Sequence, residues 1–387
     1  MRQVLNGVRV LDLSRWVAGE YATKLFADFG ADVIKVEKPG EGSLTRAWGP
    51  FPGETPHPER SALFLHLNTN KRSIALDLWK DRDILLALVE RADAVVESFR
   101  PGHLESLGLG PSVLREINPT LVLTRISAFG QTGPKRDHEA TGLVLQAAGG
   151  PMSSTGDAHR APQRKPGLLE HYTIGRSAGS ATMAGVFAAR RTGTGSVIDV
   201  SGQEVLLSGT DRRASFLLAA AYSGANAPRG FPSPHRGKFT FTGKFQAKDG
   251  FLMFYVTNIA FWNRLVNLIA EGDTGFEDAF KDRSALGEDA KPFVERLKIW
   301  CSTRLKVDIM REGQAAKIPV TAFLSMGELR EHPHFRERGF YVSGDHPEAG
   351  TLEYLGAPWR MRDGYALRRT APLLDADRDS ILAEVTR

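Results

Sequence analysis

Short apolar runs alternate with amphipathic stretches over the first two hundred residues. Residues 8–13 read as a β-strand. Residues 18–29 read as a helix, with Tyr21, Leu25 and Phe29 on one face and Gly30 closing it. Further strands are predicted over 32–37, 73–78, 94–98, 121–127 and 196–200, with helices over 81–92 and 112–117 between them. That alternation predicts an α/β fold with a parallel sheet flanked by helices. Over 175–190 small residues dominate, Gly175, Ala178, Gly179, Ala181 and Gly185 among them, which predicts a buried helix packed closely on a neighbouring backbone. A long apolar helix is predicted over 203–222.

The pattern then breaks. Gly, Pro and Arg cluster without periodicity over 223–238, which reads as a linker or surface loop. Strands over 239–245 and 251–256 flank Asp249-Gly250 as a hairpin, helical patterns rich in charge run to Glu312, and 318–324 is strand-like again. With 387 residues, two domains are expected. The expected organisation is a large α/β domain beginning over 1–222, the linker 223–238, a smaller domain over 239–325, and a return to the large domain over 326–387 with short strands and a terminal helix.

Composition narrows the function classes. Hydrophobic residues at 42% and charged residues at 25% place the chain among globular proteins. No run reaches the ~18 consecutive apolar residues of a membrane span, and the first residues carry no secretory pattern, so a cytoplasmic protein is expected with no membrane partner. The lone cysteine, Cys301, excludes an internal disulfide and reads as core filler. The net charge of +5 comes from basic residues scattered among 45 acidic ones, without a basic tail or recognition motif, so no nucleic-acid partner is expected.

Most catalytic motifs are missing. Gly193-Thr194-Gly195 precedes a strand, whereas a dinucleotide fingerprint follows one. There is no P-loop and no G-x-S-x-G elbow. His332 and His334 lie two apart without a third ligand, so no metal is expected. The informative feature is a set of basic residues at predicted strand ends: Lys35, Lys38, Lys71, Arg72 and Arg100. Open α/β sheets bind ligands at the carboxyl ends of their strands, where cations meet phosphate oxygens. Solvated surface charge is the competing explanation.

Several blocks together resemble the family III CoA-transferases, the group of formyl-CoA transferase, carnitine CoA-transferase and the α-methylacyl-CoA racemases. They are GVRVLDLS from Gly7, LFADFGADVIKVEKPGEGSLTR from Leu25, Trp48, NKRS from Asn70, VESFRPG from Val96, GQTGP from Gly130, RTGTG from Arg191 and Asp249-Gly250. The resemblance implies a large Rossmann-like domain built from both chain ends, a smaller inserted α+β domain, and interlocked dimers. It further implies coenzyme A or acyl-CoA as the substrate, with a carboxylic acid as its partner in the reaction. Its phosphates and adenine would lie near Lys38, Lys71, Arg72, Ser98 and Phe99, and its pantetheine arm beside Trp16, Val17 and Ala18. The family's basic residue after the Pro-Gly turn is replaced here by Ser106.

In the family a carboxylate attacks the thioester, CoA thiolate leaves, and the enzyme-bound acyl intermediate passes CoA to the incoming acid. The nucleophile is an aspartate at the start of the small-residue helix. Anchoring on Tyr172 and Gly175 puts His171 there, with Glu170 just before it. Three readings stay open. The chain could be a CoA-binding subunit paired with an aspartate-bearing relative, as in succinyl-CoA:benzylsuccinate CoA-transferase; such a heteromer stands against a homodimer. Glu170 could be the nucleophile. His171 or Glu170 could move an α-proton in a racemase-like reaction, although the upstream segment reads Asp137-His138-Glu139, with Gly142 where many relatives carry an acid. A CoA-binding protein without turnover is the rival class. Arg229, His235, Arg236 and Lys238 would suit a dicarboxylic acid.

Overall fold

The computed structural model describes residues 3–156, 159–209, 213–224, 241–282 and 290–385. Six parallel strands form the main sheet: β1 (Arg9–Asp12), β2 (Asp32–Glu37), β3 (Lys71–Ala75), β4 (Ala94–Glu97), β5 (Val122–Ser127) and β6 (Ser196–Ser201). Their order is β3-β2-β1-β4-β5-β6. The chain therefore starts in the middle, winds to one edge, returns and winds to the other, leaving a crevice where the order reverses between β1 and β4.

Both faces of the sheet are covered, so the strands read as apolar runs rather than as alternation. Val10, Val33, Val96 and Val122 face one core together with Phe26 and Ala178. Leu11, Ile34, Ile74, Val95 and Leu123 face the other, which Ile381 of the terminal helix Arg378–Val385 completes. The return segment also closes the sheet edge: Asp377 and Asp375 accept the backbone N–H groups of Ser73 and Ala75 at 2.9 and 2.7 Å, which blunts an otherwise open strand.

On the first face, helix α1 (Val17–Asp28) packs against the long helix Leu169–Thr192. The small residues serve this contact. A Cβ on Gly175 would stand 2.5 Å from the Ala18 carbonyl oxygen, and one on Gly179 would stand 3.4 Å from that of Ala22. The long helix is buried on this face only, with Arg176, Ser180 and Phe187 exposed on the other. It also begins six residues before the small-residue stretch does, which places Glu170 and His171 inside its first turn.

Two other elements differ from the sequence pattern. Strand β3 spans Lys71–Ala75 rather than 73–78, because its register on β2 pairs Lys71 with Val33 and Ala75 with Glu37. The apolar stretch expected as one helix is two, Gly202–Ser208 and Arg213–Ser223, since Gly209 takes an extended conformation and ends the first; residues 210–212 lie outside the described residues.

The chain divides into two compact units, Met1–Gly230 with Glu337–Arg387, and Phe231–Arg336. In the second, the hairpin Phe241–Ala247 and Gly250–Val256 pairs antiparallel, joined by Val320–Ala322. Phe254, Trp262, Leu265, Phe293 and Cys301 fill its core, where burial pushes the Cys301 thiol up to about 12 and leaves it unreactive. Lys306 is buried and pairs with Glu328 at 2.7 Å, which ties the segment after the third strand to this unit. Most of the sequence-predicted linker, with Arg229, His235, Arg236 and Lys238, lies outside the described residues.

Gly175→Ala is expected to destabilise the chain by about 1–3 kcal/mol through overpacking against α1, read as a lowered urea midpoint at unchanged m-value.

Candidate active site

The crevice is built by the two loops that leave β1 and β4. Leu13 to Trp16 connect β1 to α1, and Ser98 to Gly102 follow β4; the Arg15 N–H donates to Ser98 Oγ at 3.2 Å and ties the two together. Phe99 stands between two cavities and lines both. The first, about 360 Å³, lies over the ends of β1 to β4 and is lined by Ser14, Arg15, Lys38, Trp79, Phe99 and His103. The second, about 340 Å³, lies over β1, β4 and β5 and is lined by Trp16, Ala18, Ser98, Ser127, His138 and His171.

Beneath the first cavity lies a layer of buried charge. The Lys71 ammonium shares its three N–H groups among four acceptors, Asp12 Oδ2 at 2.9 Å, Glu20 O at 2.9 Å, Thr23 Oγ1 at 2.8 Å and Asn68 Oδ1 at 2.8 Å. Lys35 donates to the Ser14 carbonyl and lies 3.4 Å from both Asp12 Oδ1 and Glu20 Oε1. Burial alone would raise the Asp12 carboxyl; the ammonium groups of Lys35 and Lys71 and the hydroxyls of Ser14 and Thr23 hold it far below the ordinary range. Arg46 grips Glu37 through two N–H groups at 2.7 and 2.8 Å.

This layer corrects part of the expected CoA contacts. Lys71 is fully buried and its donors are satisfied within the protein, so it holds α1 on the sheet and does not meet a phosphate. Arg72 is on the opposite face of β3, bound to Asp32 at 2.7 Å and Glu384 at 2.7 Å, and lines neither cavity. Val17 is wholly buried, whereas Arg100 is exposed, pairs with Glu139 and lines the second cavity. Lys38, Ser98, Phe99, Trp16 and Ala18 do line the crevice. Lys38 is exposed and, among the described residues, forms an ion pair with Glu41 alone, a contact that solvent makes weak and exchangeable.

His171 faces the second cavity. The Trp16 indole N–H donates to its Nε2 at 3.1 Å, so the imidazole is neutral with its proton on Nδ1. Trp16 also meets the exposed Trp48 edge-to-face at 5.2 Å. Burial lowers the His171 pKa, and the nearby Glu170 only partly opposes it. Glu170 lies beside the ring, its Oε1 3.8 Å from His171 Nε2, but its Oε2 accepts from Gln146 Nε2 at 2.8 Å, and it lines a small cavity with Gln146, Lys165 and Arg176 that His171 does not line. A Cβ on Gly142 would stand 1.9 Å from Glu170 Oε1 and 3.2 Å from His171 Nε2. Glu170 thus fills the space that a side chain at 142 would take. The rim carboxylates of the second cavity, Asp137 and Glu139, are exposed and lie against Arg136 and Arg100.

The sheet order, the crevice and the chain-wide pattern agree with sequence comparison. The profile of CoA-transferase family III matches residues 5–378. The chain belongs to this family. It is 30% identical over 406 residues to formyl-CoA:oxalate CoA-transferase of Afipia carboxidovorans, covering 100% of this chain and 95% of that one. It is also 30% identical over 390 residues to succinyl-CoA:mesaconate CoA-transferase of Haloarcula hispanica, covering 98% and 96%. Among solved structures, a CAIB/BAIF family protein from Brucella suis superposes with a TM-score of 0.86 at 27% identity, covering both chains in full. Among the described residues, no helix is long and apolar enough to cross a membrane.

Sequence reasoning overlooked Arg15, Trp79, His103 and Gln146. Arg15 carried the same signal as Lys38, a basic residue just past a strand end; the others required the loops to be brought together.

Two outcomes follow from this arrangement. Lys71→Met is expected to cost about 3–5 kcal/mol of stability by leaving the buried network uncompensated, measured by denaturant unfolding, whereas a phosphate-binding lysine would lose only ligand affinity. The His171 resonances are expected to titrate below the ordinary value of ~6.5. Keeping this imidazole neutral stabilises the fold fully above that value, and the contribution is lost as pH falls through the lowered native pKa.

Proposed function

We propose that this chain binds an acyl-CoA along the carboxyl edge of its sheet, as a subunit of an acyl-CoA:carboxylate CoA-transferase whose nucleophilic carboxylate comes from a related subunit. The nucleotide lies in the first cavity against Phe99 and Trp79, with Lys38 at the phosphates. The pantetheine arm passes Trp16, Ala18 and Ser98, and the thioester reaches the second cavity beside His171. The matched relatives are named for oxalate and mesaconate, both dicarboxylic acids, and we extend that class to the acceptor acid here.

One observation carries the division of labour. At the start of the long helix the cavity meets an imidazole whose acceptor nitrogen is already occupied by Trp16, while the neighbouring carboxylate is buried on Gln146 and lines another cavity. An imidazole cannot form the mixed anhydride and then the enzyme thioester that CoA transfer between acids requires. Glu170 as nucleophile would have to break its bond to Gln146 and turn past the His171 ring, whose Nε2 is 3.8 Å from its Oε1. A racemase-like role for His171 is disfavoured for a related reason: a neutral imidazole with Nε2 engaged offers a donor, not a base.

The purified chain is therefore expected to bind acetyl-CoA or succinyl-CoA by calorimetry, yet to transfer no CoA to oxalate or mesaconate. His171→Asp is expected to gain a covalent adduct with the mass of CoA less water after incubation with acyl-CoA. Turnover by the wild-type chain alone at an ordinary enzymatic rate, about 1 s⁻¹ or faster, would sink the reading. Copurification of an aspartate-bearing relative that confers turnover would support it.

A further inference from the structure

We infer that Arg15 is the principal anion anchor of the first cavity and binds a phosphate group of the nucleotide; the inference rests on the proposed acyl-CoA reading. Three arginines around this sheet are held by carboxylates. Arg46 grips Glu37 and Glu59, Arg72 grips Asp32 and Glu384, and Arg125 grips Glu97 and Glu105. Arg15 differs. Its backbone is fixed on both sides, the N–H donating to Ser98 Oγ and the carbonyl accepting from Ser43 Oγ at 3.2 Å, but its guanidinium makes no hydrogen bond or ion pair among the described residues. Its Nε is nevertheless shielded from solvent without a partner. A shielded charged donor normally has an acceptor, and this one lines a cavity.

The surroundings specify what that acceptor is. The acids on the same wall are already engaged: Glu37 by Arg46, and Asp77 by the backbone N–H groups of Trp79 and Lys80 at 3.0 and 3.2 Å. Glu41 is the carboxylate that feels Arg15, but it is exposed and bound to Lys38. Arg15 and Lys38 therefore give the wall cationic donors, next to the imidazole of His103, the ring of Phe99 and an indole, Trp79, that is 68% exposed. Donors for phosphate oxygens beside open aromatic faces suit a phosphorylated nucleotide rather than a free carboxylic acid. Arg15 also sits at the reversal of strand order, where an open α/β sheet takes its ligand. The locked Arg15 backbone fixes where its side chain enters the cavity, and the planar guanidinium offers paired donors that match phosphate oxygens.

The test uses the full chain with acetyl-CoA and with acetyl-pantetheine, which shares the thioester and lacks every phosphate. Arg15→Met is expected to weaken acetyl-CoA binding about 10- to 100-fold and to leave acetyl-pantetheine binding unchanged, with Arg15→Lys intermediate. Its melting temperature is expected to hold or rise, since the side chain removed has no partner in the free protein. Wild-type binding of acetyl-CoA with no loss in Arg15→Met overturns the inference and leaves the acyl-CoA reading standing. An equal loss for both ligands, or a fall in melting temperature shared by Arg15→Lys, assigns Arg15 a structural role and also overturns it. Failure of the wild type to bind acetyl-CoA at all overturns the underlying reading itself.

Discussion

Four buried charges, Asp12, Glu20, Lys35 and Lys71, fix the geometry on which the site depends. They come from β1, α1, β2 and β3, and each is at or near zero exposure. Two carboxylates and two ammonium groups balance in sign, and hydroxyls of Ser14, Thr23, Ser43 and Thr45 take the remaining lone pairs. Replacing such a set with apolar residues of the same volume need not cost stability, but removing one member leaves a charge unpaired in the interior. The network therefore acts as a register pin. Lys35 opposite Asp12 on adjacent strands, with Lys71 reaching the Glu20 carbonyl, holds α1 in one position over the sheet.

That pin positions the loop before α1, and the loop carries the site. Lys35 grips the Ser14 carbonyl, Ser43 the Arg15 carbonyl, and Ser98 accepts from the Arg15 N–H. Arg15 is thereby delivered to one cavity and Trp16 to the other. Trp16 in turn decides the state of His171, since its indole can only donate and so consumes the lone pair of Nε2. The chemistry available at the start of the long helix is thus set two layers away, by charges that touch no ligand.

Positions 142, 170 and 171 are coupled sterically. Gly142 leaves room for a carboxylate, and Glu170 from the neighbouring helix occupies that room, held by Gln146. An acidic group thus lies close to 142, while an imidazole faces the second cavity from the start of the long helix. Restoring a side chain at 142 would collide with Glu170, so the two positions form one unit.

The layered α/β fold was legible from residue order alone, because strands buried on both faces must be apolar runs and helices between them must be amphipathic. The hairpin at Asp249-Gly250, the close helix contact at Gly175 and the imidazole at 171 were legible for the same reason, since they depend on residue type and local spacing. Which cations are free is a property of the folded chain. Lys38, Lys71 and Arg15 look alike as basic residues near strand ends, and burial separates the register pin from the exchangeable surface pair and from the unpartnered fork. Likewise Glu170 and His171 are neighbours in sequence but point into different cavities, because successive side chains on a helix diverge by about 100° and each finds its partner, Gln146 or Trp16, on a different element.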